Sequence, residues 1–235
     1  MAYKRVLLKL SGEQLAGKFE SGIDSELCHW LASELGKVVA SGTQVVVMVG
    51  GGNYARGAQL AGHGIGRVTA DNVGMLATMM NAIALADIFN AGGITARALT
   101  NIKADQVADQ FTHRRAISDL RKNRVVIVAG GIGRPYLTTD TAAVSLALEL
   151  DCEAVLKATK VDGVYDKDPA KFPDAKKLDV ISFDDAVAND AIKVMDKAAL
   201  GLALEHKLPI VVFDAMSEDH ILRVASGEAI GTKIG

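Results

Sequence analysis

One lysine stands where lysine is costly, and another closes a strand. Lys9 interrupts the apolar run Val6-Leu7-Leu8-Lys9-Leu10, and Lys157 follows another, Glu153 to Leu156, ahead of Ala158-Thr159-Lys160. A core strand tolerates an ammonium that snorkels to water or emerges where an anion needs it. Two further apolar runs end in glycine. Gln44 to Val49 stops at Gly50-Gly51-Gly52, with Asn53 and Arg56 close behind. Val125 to Val128 gives way to Gly130-Gly131 and the loop Ile132-Gly133-Arg134-Pro135-Tyr136-Leu137. Such glycines let backbone approach a ligand and supply N–H donors, and Arg56 offers a planar fork for phosphate oxygens. Thr138-Thr139-Asp140 then opens a helix-like stretch, Thr141 to Leu150. N–H groups at a helix start attract anions, phosphate above all. Each feature also has a plain reading as turn or cap. Together they supply point charges, N–H donors and one carboxylate, the parts of phosphoryl transfer by positioning and charge neutralisation.

Other chemistries find less support. The five histidines, His29, His63, His113, His206 and His220, are scattered without metal-ligand spacing. There is no G-x-S-x-G nucleophile elbow. Gly12 to Lys18 fits the first part of a P-loop, but Phe19 stands where the magnesium-binding hydroxyl belongs and Glu20-Ser21-Gly22 reads as loop.

The elements that must position these groups alternate. Strands are expected at Val6–Leu10, Gln44–Val49, Thr95–Leu99, Val125–Val128, Glu153–Leu156, Leu178–Ile181 and Ile210–Phe213, with Ile230–Ile234 a terminal edge strand. Helices are expected at Asp24–Ala40, Thr69–Asn90, His113–Arg121, Thr141–Leu150, Phe183–Ala188, Val194–His206 and Asp219–Ala225. Asn101 to Phe111 reads as irregular or weakly helical, and Val161 to Pro169 as a turn-rich loop. Continuous apolar strands alternating with helices demand a mostly parallel sheet covered on both faces, an α/β/α three-layer sandwich. Ligands in such sheets sit outside the carboxyl ends of the strands, where the lysines and glycines fall.

The 235 residues, 49% hydrophobic and 23% charged, suffice for a substantial core. A net charge of −2 and 5% aromatics point away from nucleic acid. Cys28 and Cys152 read as buried free thiols, and the start lacks the apolar region of a signal peptide. No window reaches the length of a membrane span. A cytoplasmic chain without membrane partners is expected.

The motifs Lys9-Leu10-Ser11-Gly12-Glu13, Gly50-Gly51-Gly52-Asn53, Asp71 ahead of Met75-Leu76-Ala77-Thr78, Thr138-Thr139-Asp140, Lys157-Ala158-Thr159-Lys160-Val161-Asp162-Gly163-Val164 and Lys193-Val194-Met195-Asp196 resemble the bacterial uridylate kinases of the amino-acid-kinase superfamily. They span the whole chain in the right order. The resemblance implies one domain over 1–235, with a UMP lobe to about residue 150 and an ATP lobe from about 151. It implies transfer from ATP to UMP with Mg2+, in a homohexamer built from dimers. Lys9, Asp140 and Lys157 would organise charge at the transfer site. ATP would meet Lys9, Leu10, Ser11, Gly12, Gly52, Arg56, Thr159, Tyr165 and Asp168. UMP would meet Gly51, Asp71, Ile132, Gly133, Arg134, Pro135, Tyr136, Leu137, Thr138 and Thr139. A GTP activator site would involve Gly17, Lys18, Phe19, Glu20, Ser21, Gly22, Arg97 and Arg124, and UTP would inhibit.

The chain departs from this pattern in its acceptor loop. The family usually has Gly-Thr-Gly-Asn-Pro, and here Gly131-Ile132-Gly133-Arg134-Pro135 replaces a hydroxyl by an alkyl group and an amide by a cation. Ala86 also stands before Asp87 where an effector-linked arginine is common. Carbamate, acetylglutamate or isopentenyl phosphate kinases are the near alternatives, and a nucleotide-binding protein without activity is the distant one.

Overall fold

A computed structural model describes residues 1–55, 60, 64–167, 169, 171–189 and 194–235. The main sheet has nine strands in the order β4-β3-β5-β2-β1-β6-β10-β11-β9. Its centre is β5 (Val125–Ala129), β2 (Gln44–Val49), β1 (Arg5–Leu10) and β6 (Ala154–Thr159), all parallel. On one side lie β3 (Ala96–Thr100) and the short β4 (Asp109–Gln110), on the other β10 (Ile210–Asp214), β11 (Thr232–Ile234) and β9 (Val180–Ile181). Among the described residues, the one antiparallel pair within it is β10 with β11. The strands β7 (Val164–Tyr165) and β8 (Lys177–Leu178) form a separate antiparallel pair.

Side-chain alternation divides the core into two layers. Val6, Leu8 and Leu10 of β1 face one cluster with Val45, Val47 and Val49 of β2. Leu7, Val46 and Met48 face the other. The first layer is covered by α2 (Ser25–Ala40), α3 (Arg67–Ala91) and α8 (His220–Ala225). The second lies under α4 (His113–Leu120), α5 (Thr139–Glu149), α6 (Phe183–Ala188) and α7 (Lys197–His206). Each fully buried Leu or Val contributes about 1.5–3 kcal/mol, so the central strands are fixed from both faces. The layout is the expected sandwich. Cys28 and Cys152 are buried free thiols, and burial pushes both up to about 12.

Four expectations need correction. Ile230–Ile234 is not an edge strand, because β11 lies between β10 and β9. The Leu178–Ile181 strand is two short strands serving different sheets. The fifth strand does not end at Leu156. It runs on through Lys157, which pairs with Lys9 on one side and Val212 on the other. Finally, α3 is long and apolar enough to cross a membrane by length and composition. Its packing is that of a core helix: Leu85 and Phe89 are fully buried, and its buried Asn81 pairs with Asn53.

Candidate active site

Neighbouring central strands bring the four signalled strand ends side by side. Parallel register sets Lys9 opposite Lys157. Above them, Thr138 caps α5 by accepting from the N–H of Asp140 at 3.0 Å, which places Asp140 in the helix's first turn. Asp140 closes the gap: its Oδ1 lies 2.8 Å from Lys9 Nζ and its Oδ2 2.7 Å from Lys157 Nζ. Burial alone would raise the Asp140 pKa, but the ammoniums of Lys9 and Lys157 outweigh it and hold the carboxyl below the ordinary value. Lys157 is pulled below the ordinary lysine value, first by burial and then by the like charge of Lys9, against the pull of Asp140. Two cations on one carboxylate leave an excess positive charge in a water-poor place. That excess is suited to an incoming phosphate.

Glycines bring backbone to the same place. A Cβ on Gly12 would lie 2.4 Å from Asn53 Oδ1 and 2.6 Å from Gly52 N, so the turn after β1 and the glycine loop after β2 touch. Ser11 caps the short α1 (Gly12–Leu15) in a capping box with Gln14. A Cβ on Gly51 would lie 2.7 Å from Gly74 O, so this glycine lets the loop rest on α3.

Beyond α5's N-terminus the loop from Gly130 to Leu137 folds toward α3. Gly130, Gly131 and Gly133 have φ of +80°, +53° and +77°. The N–H of Tyr136 donates to Asp71 Oδ2 at 2.8 Å, joining two expected acceptor contacts directly. Ile132 is half-buried against the second core layer, whereas Arg134 is exposed. The Ile132 alkyl group therefore has a packing role in this loop.

The expected donor-nucleotide residues are less clustered. Thr159 Oγ1 donates to the Val161 carbonyl at 2.6 Å and lies 3.1 Å from the Phe213 carbonyl. Tyr165 OH donates to Asp162 at 2.6 Å, and that bond raises the tyrosine pKa. Arg56, Asp168 and Lys193 lie outside the described residues.

The expected effector residues fall into two places. Arg97 and Arg124 converge on Asp119, at 3.6 Å and 2.9 Å. The Gly17–Gly22 segment lies elsewhere, tied to the glycine loop where Asn53 Nδ2 donates to the Gly22 carbonyl at 2.6 Å. One chain does not bring these halves together.

Sequence reasoning missed several supports. Lys157 also donates to the Val194 carbonyl. Asp196 accepts from Thr138 and Thr141, tying the start of α7 to the start of α5. Thr78 Oγ1 accepts from the Gly130 N–H at 2.7 Å. Arg67 holds Asp71. Of these, only the Arg67–Asp71 spacing of four on a helix is a signal readable beforehand.

A parallel α/β sheet that gathers paired lysines, a carboxylate and glycine loops at its carboxyl ends defines a phosphotransferase-like site. The chain belongs to the amino acid kinase family, whose sequence model matches residues 4–214. Within it, the chain is similar to UMP kinase from Bacillus anthracis, with 37% identity and a TM-score of 0.95 over 100% of this chain and 97% of that one. It is similar to UMP kinase from Ureaplasma parvum, at 31% identity and a TM-score of 0.92, with 100% of both chains covered. Uridylate kinase from Archaeoglobus fulgidus matches at 27% identity and a TM-score of 0.74, again over 100% of both chains.

Proposed function

We propose that this chain is a UMP kinase of pyrimidine nucleotide biosynthesis, transferring the terminal phosphoryl group of ATP in line to UMP to give ADP and UDP. The single observation that carries the reading is the buried Lys9–Asp140–Lys157 triad, with the full-length likeness to UMP kinases as its context. Lys9 and Lys157 would follow the moving phosphoryl group as point charges. Asp140 would keep both ammoniums apart and aimed. N–H groups of the glycine turns at Gly12 and Gly52 would lower the repulsion between two polyphosphates, aided by Leu10, Ser11 and Arg56. Asp71 would accept from the UMP ribose, with Gly51 and the 132–139 loop enclosing the rest. Thr159, Tyr165 and Asp168 would hold adenosine. On this reading, residues up to about 150 carry the acceptor and the remainder the donor.

Among the described residues no group of three or more His, Cys, Asp or Glu can cage a metal. The Asp140 oxygens already face ammoniums. This donor set suits Mg2+ that arrives on ATP, held by phosphate oxygens and water, with Asp140 the residue to reach it through water. The chemistry that Mg2+ would supply there is neutralisation of the charge that develops on the transferring phosphoryl group.

A cytoplasmic homohexamer built from dimers, activated by GTP and inhibited by UTP, completes the reading. Along α3 the side chains of Val73, Leu76, Met80 and Ile83 are 36%, 50%, 50% and 36% exposed. This apolar stripe at helical spacing supports burial against another copy. GTP would meet Arg97 and Arg124, and the 17–22 segment would relay its effect.

ADP release with UMP, CMP, dUMP, acetylglutamate and carbamate as acceptors tests the function. UMP-selective release is expected. Preference for another acceptor would move the chain to a different branch of the family, and no release with any would make it a binding protein.

A further inference from the structure

The cation that opens α3 is misplaced for helix stability. Arg67 is the first residue of this 25-residue helix, whose N-terminal turn carries partial positive charge and favours acids. Its partner Asp71 follows four residues later, the weaker order for such a pair. What Arg67 does instead is close a three-way clasp. Its Nε lies 2.9 Å and 2.8 Å from the two oxygens of Asp71. The same carboxylate accepts from the Tyr136 N–H at 2.8 Å. The guanidinium carbon stands 5.2 Å from the Tyr136 ring centroid, within reach of cation–π attraction. Tyr136 needs holding. Its φ is +67°, a region that non-glycine residues seldom adopt, and the residue is 65% exposed.

We propose that Arg67 is a positioning residue for the acceptor nucleotide. Through Asp71 and Tyr136 it pins the 132–139 loop to the start of α3. It also fixes the Asp71 carboxylate while leaving capacity for a ribose hydroxyl. Each carboxylate oxygen accepts about two hydrogen bonds, and among the described residues Oδ1 receives one, from Arg67, while Oδ2 receives two. This rests on the UMP kinase reading and adds to it a side chain that governs acceptor affinity without having to touch the acceptor. Lysine does not suffice, because an ammonium on a flexible stem cannot bond the carboxylate and lay a planar cation on the ring together.

The test compares wild type, Arg67→Ala, Arg67→Lys, Tyr136→Leu and the Arg67→Ala/Tyr136→Leu pair. Initial rates are measured against UMP and ATP, and UMP binding is titrated by calorimetry without ATP. Arg67→Ala should raise both KM and Kd for UMP about tenfold, the scale of one lost charge-assisted contact. KM for ATP should stay within about twofold, since the loss is confined to acceptor binding. Arg67→Lys should recover little. The double variant should lose less than the product of the single losses, because both act through one clasp. Unchanged UMP affinity in Arg67→Ala, equal weakening of both substrates, or multiplicative losses would overturn the proposal. A wild-type chain that neither binds nor phosphorylates UMP would overturn the reading beneath it as well. A wild-type chain that does both, matched by Arg67→Ala, overturns the proposal alone.

Discussion

Two charge clusters in this molecule share an excess of one cation and differ in setting. At the carboxyl ends of the central strands, Lys9, Lys157 and Asp140 have side chains 10%, 13% and 14% exposed. Beside β3 and the start of β5, Arg97, Arg115 and Arg124 gather on Asp109 and Asp119. Those three arginines are 38%, 39% and 35% exposed. Exposed charges are screened by salt and hold little energy. Buried ones are screened far less, and their desolvation weighs against folding. The inner cluster thus stores uncompensated positive charge that a bound phosphate would relieve. The outer one, half-exposed at its arginines and at Asp109 and buried at Asp119, stores less. Residue type follows setting: compact lysine ammoniums inside, planar arginine forks outside.

The comparison breaks most visibly at Asp140. Asp140→Ala strands two ammoniums and should lower kcat by about 10³-fold, the upper range for losing one preorganised electrostatic group. Unfolding in urea should show a loss of about 3 kcal/mol without nucleotide, the scale for breaking a buried ion pair. A stable, active variant would mean that the triad is not a charge-organising unit.

Next comes pH. Burial holds Lys157 below the ordinary lysine value of 10.5, so its charge is lost earlier as pH rises. The alkaline decline of kcat should therefore begin below that value and change little with added salt. A decline only in the ordinary lysine range, or one strongly moved by salt, would make Lys157 an exposed-type charge.

Asp109 gives the outer counterpart. Its hydrogen bond from Arg97 holds its carboxyl below the ordinary 3.8. A depressed acid stabilises the fold above its unfolded value and stops doing so as pH falls through the folded one. Asp109→Asn should cost at most about 1 kcal/mol near neutrality, as expected for a half-exposed pair. That difference should shrink as pH drops below 3.8. A larger loss in denaturant titrations would give the outer cluster a structural role like the inner one.

The smallest stability effect belongs to Arg134→Asn. The side chain is exposed and makes no hydrogen bond or ion pair among the described residues. Stability in denaturant titrations should change by less than about 0.5 kcal/mol, whereas UMP cooperativity or the GTP response should change. Unaltered UMP affinity, cooperativity and GTP response would leave the cation without a role in the acceptor loop.

The sheet was legible because apolar runs punctuated by glycine report buried parallel strands directly. Lys9 and Lys157 were legible as ammoniums within or at the end of an apolar strand, whereas Asp140 sits where a helix start favours an acid and its role came from the family resemblance. The meeting of the two lysines at one carboxylate is a consequence of register between β1 and β6, which no local pattern encodes. The β9, β10 and β11 arrangement was misread because strands of two or three residues carry too little periodicity to place. The Thr138–Asp196 and Lys157–Val194 contacts were invisible because their partners are 58 and 37 residues apart and chemically ordinary. The α3 helix was underestimated by two residues at its start, where Arg67 opposes the usual preference for acids.

The most direct test is Lys9→Ala, with kcat and the UMP dissociation constant measured on one preparation. Lys9 should contribute chiefly when charge moves between nucleotides, so kcat should fall at least about a hundredfold while UMP affinity changes by no more than a few fold. Equal losses in turnover and UMP affinity would make Lys9 a binding group and contradict the account of the inner cluster.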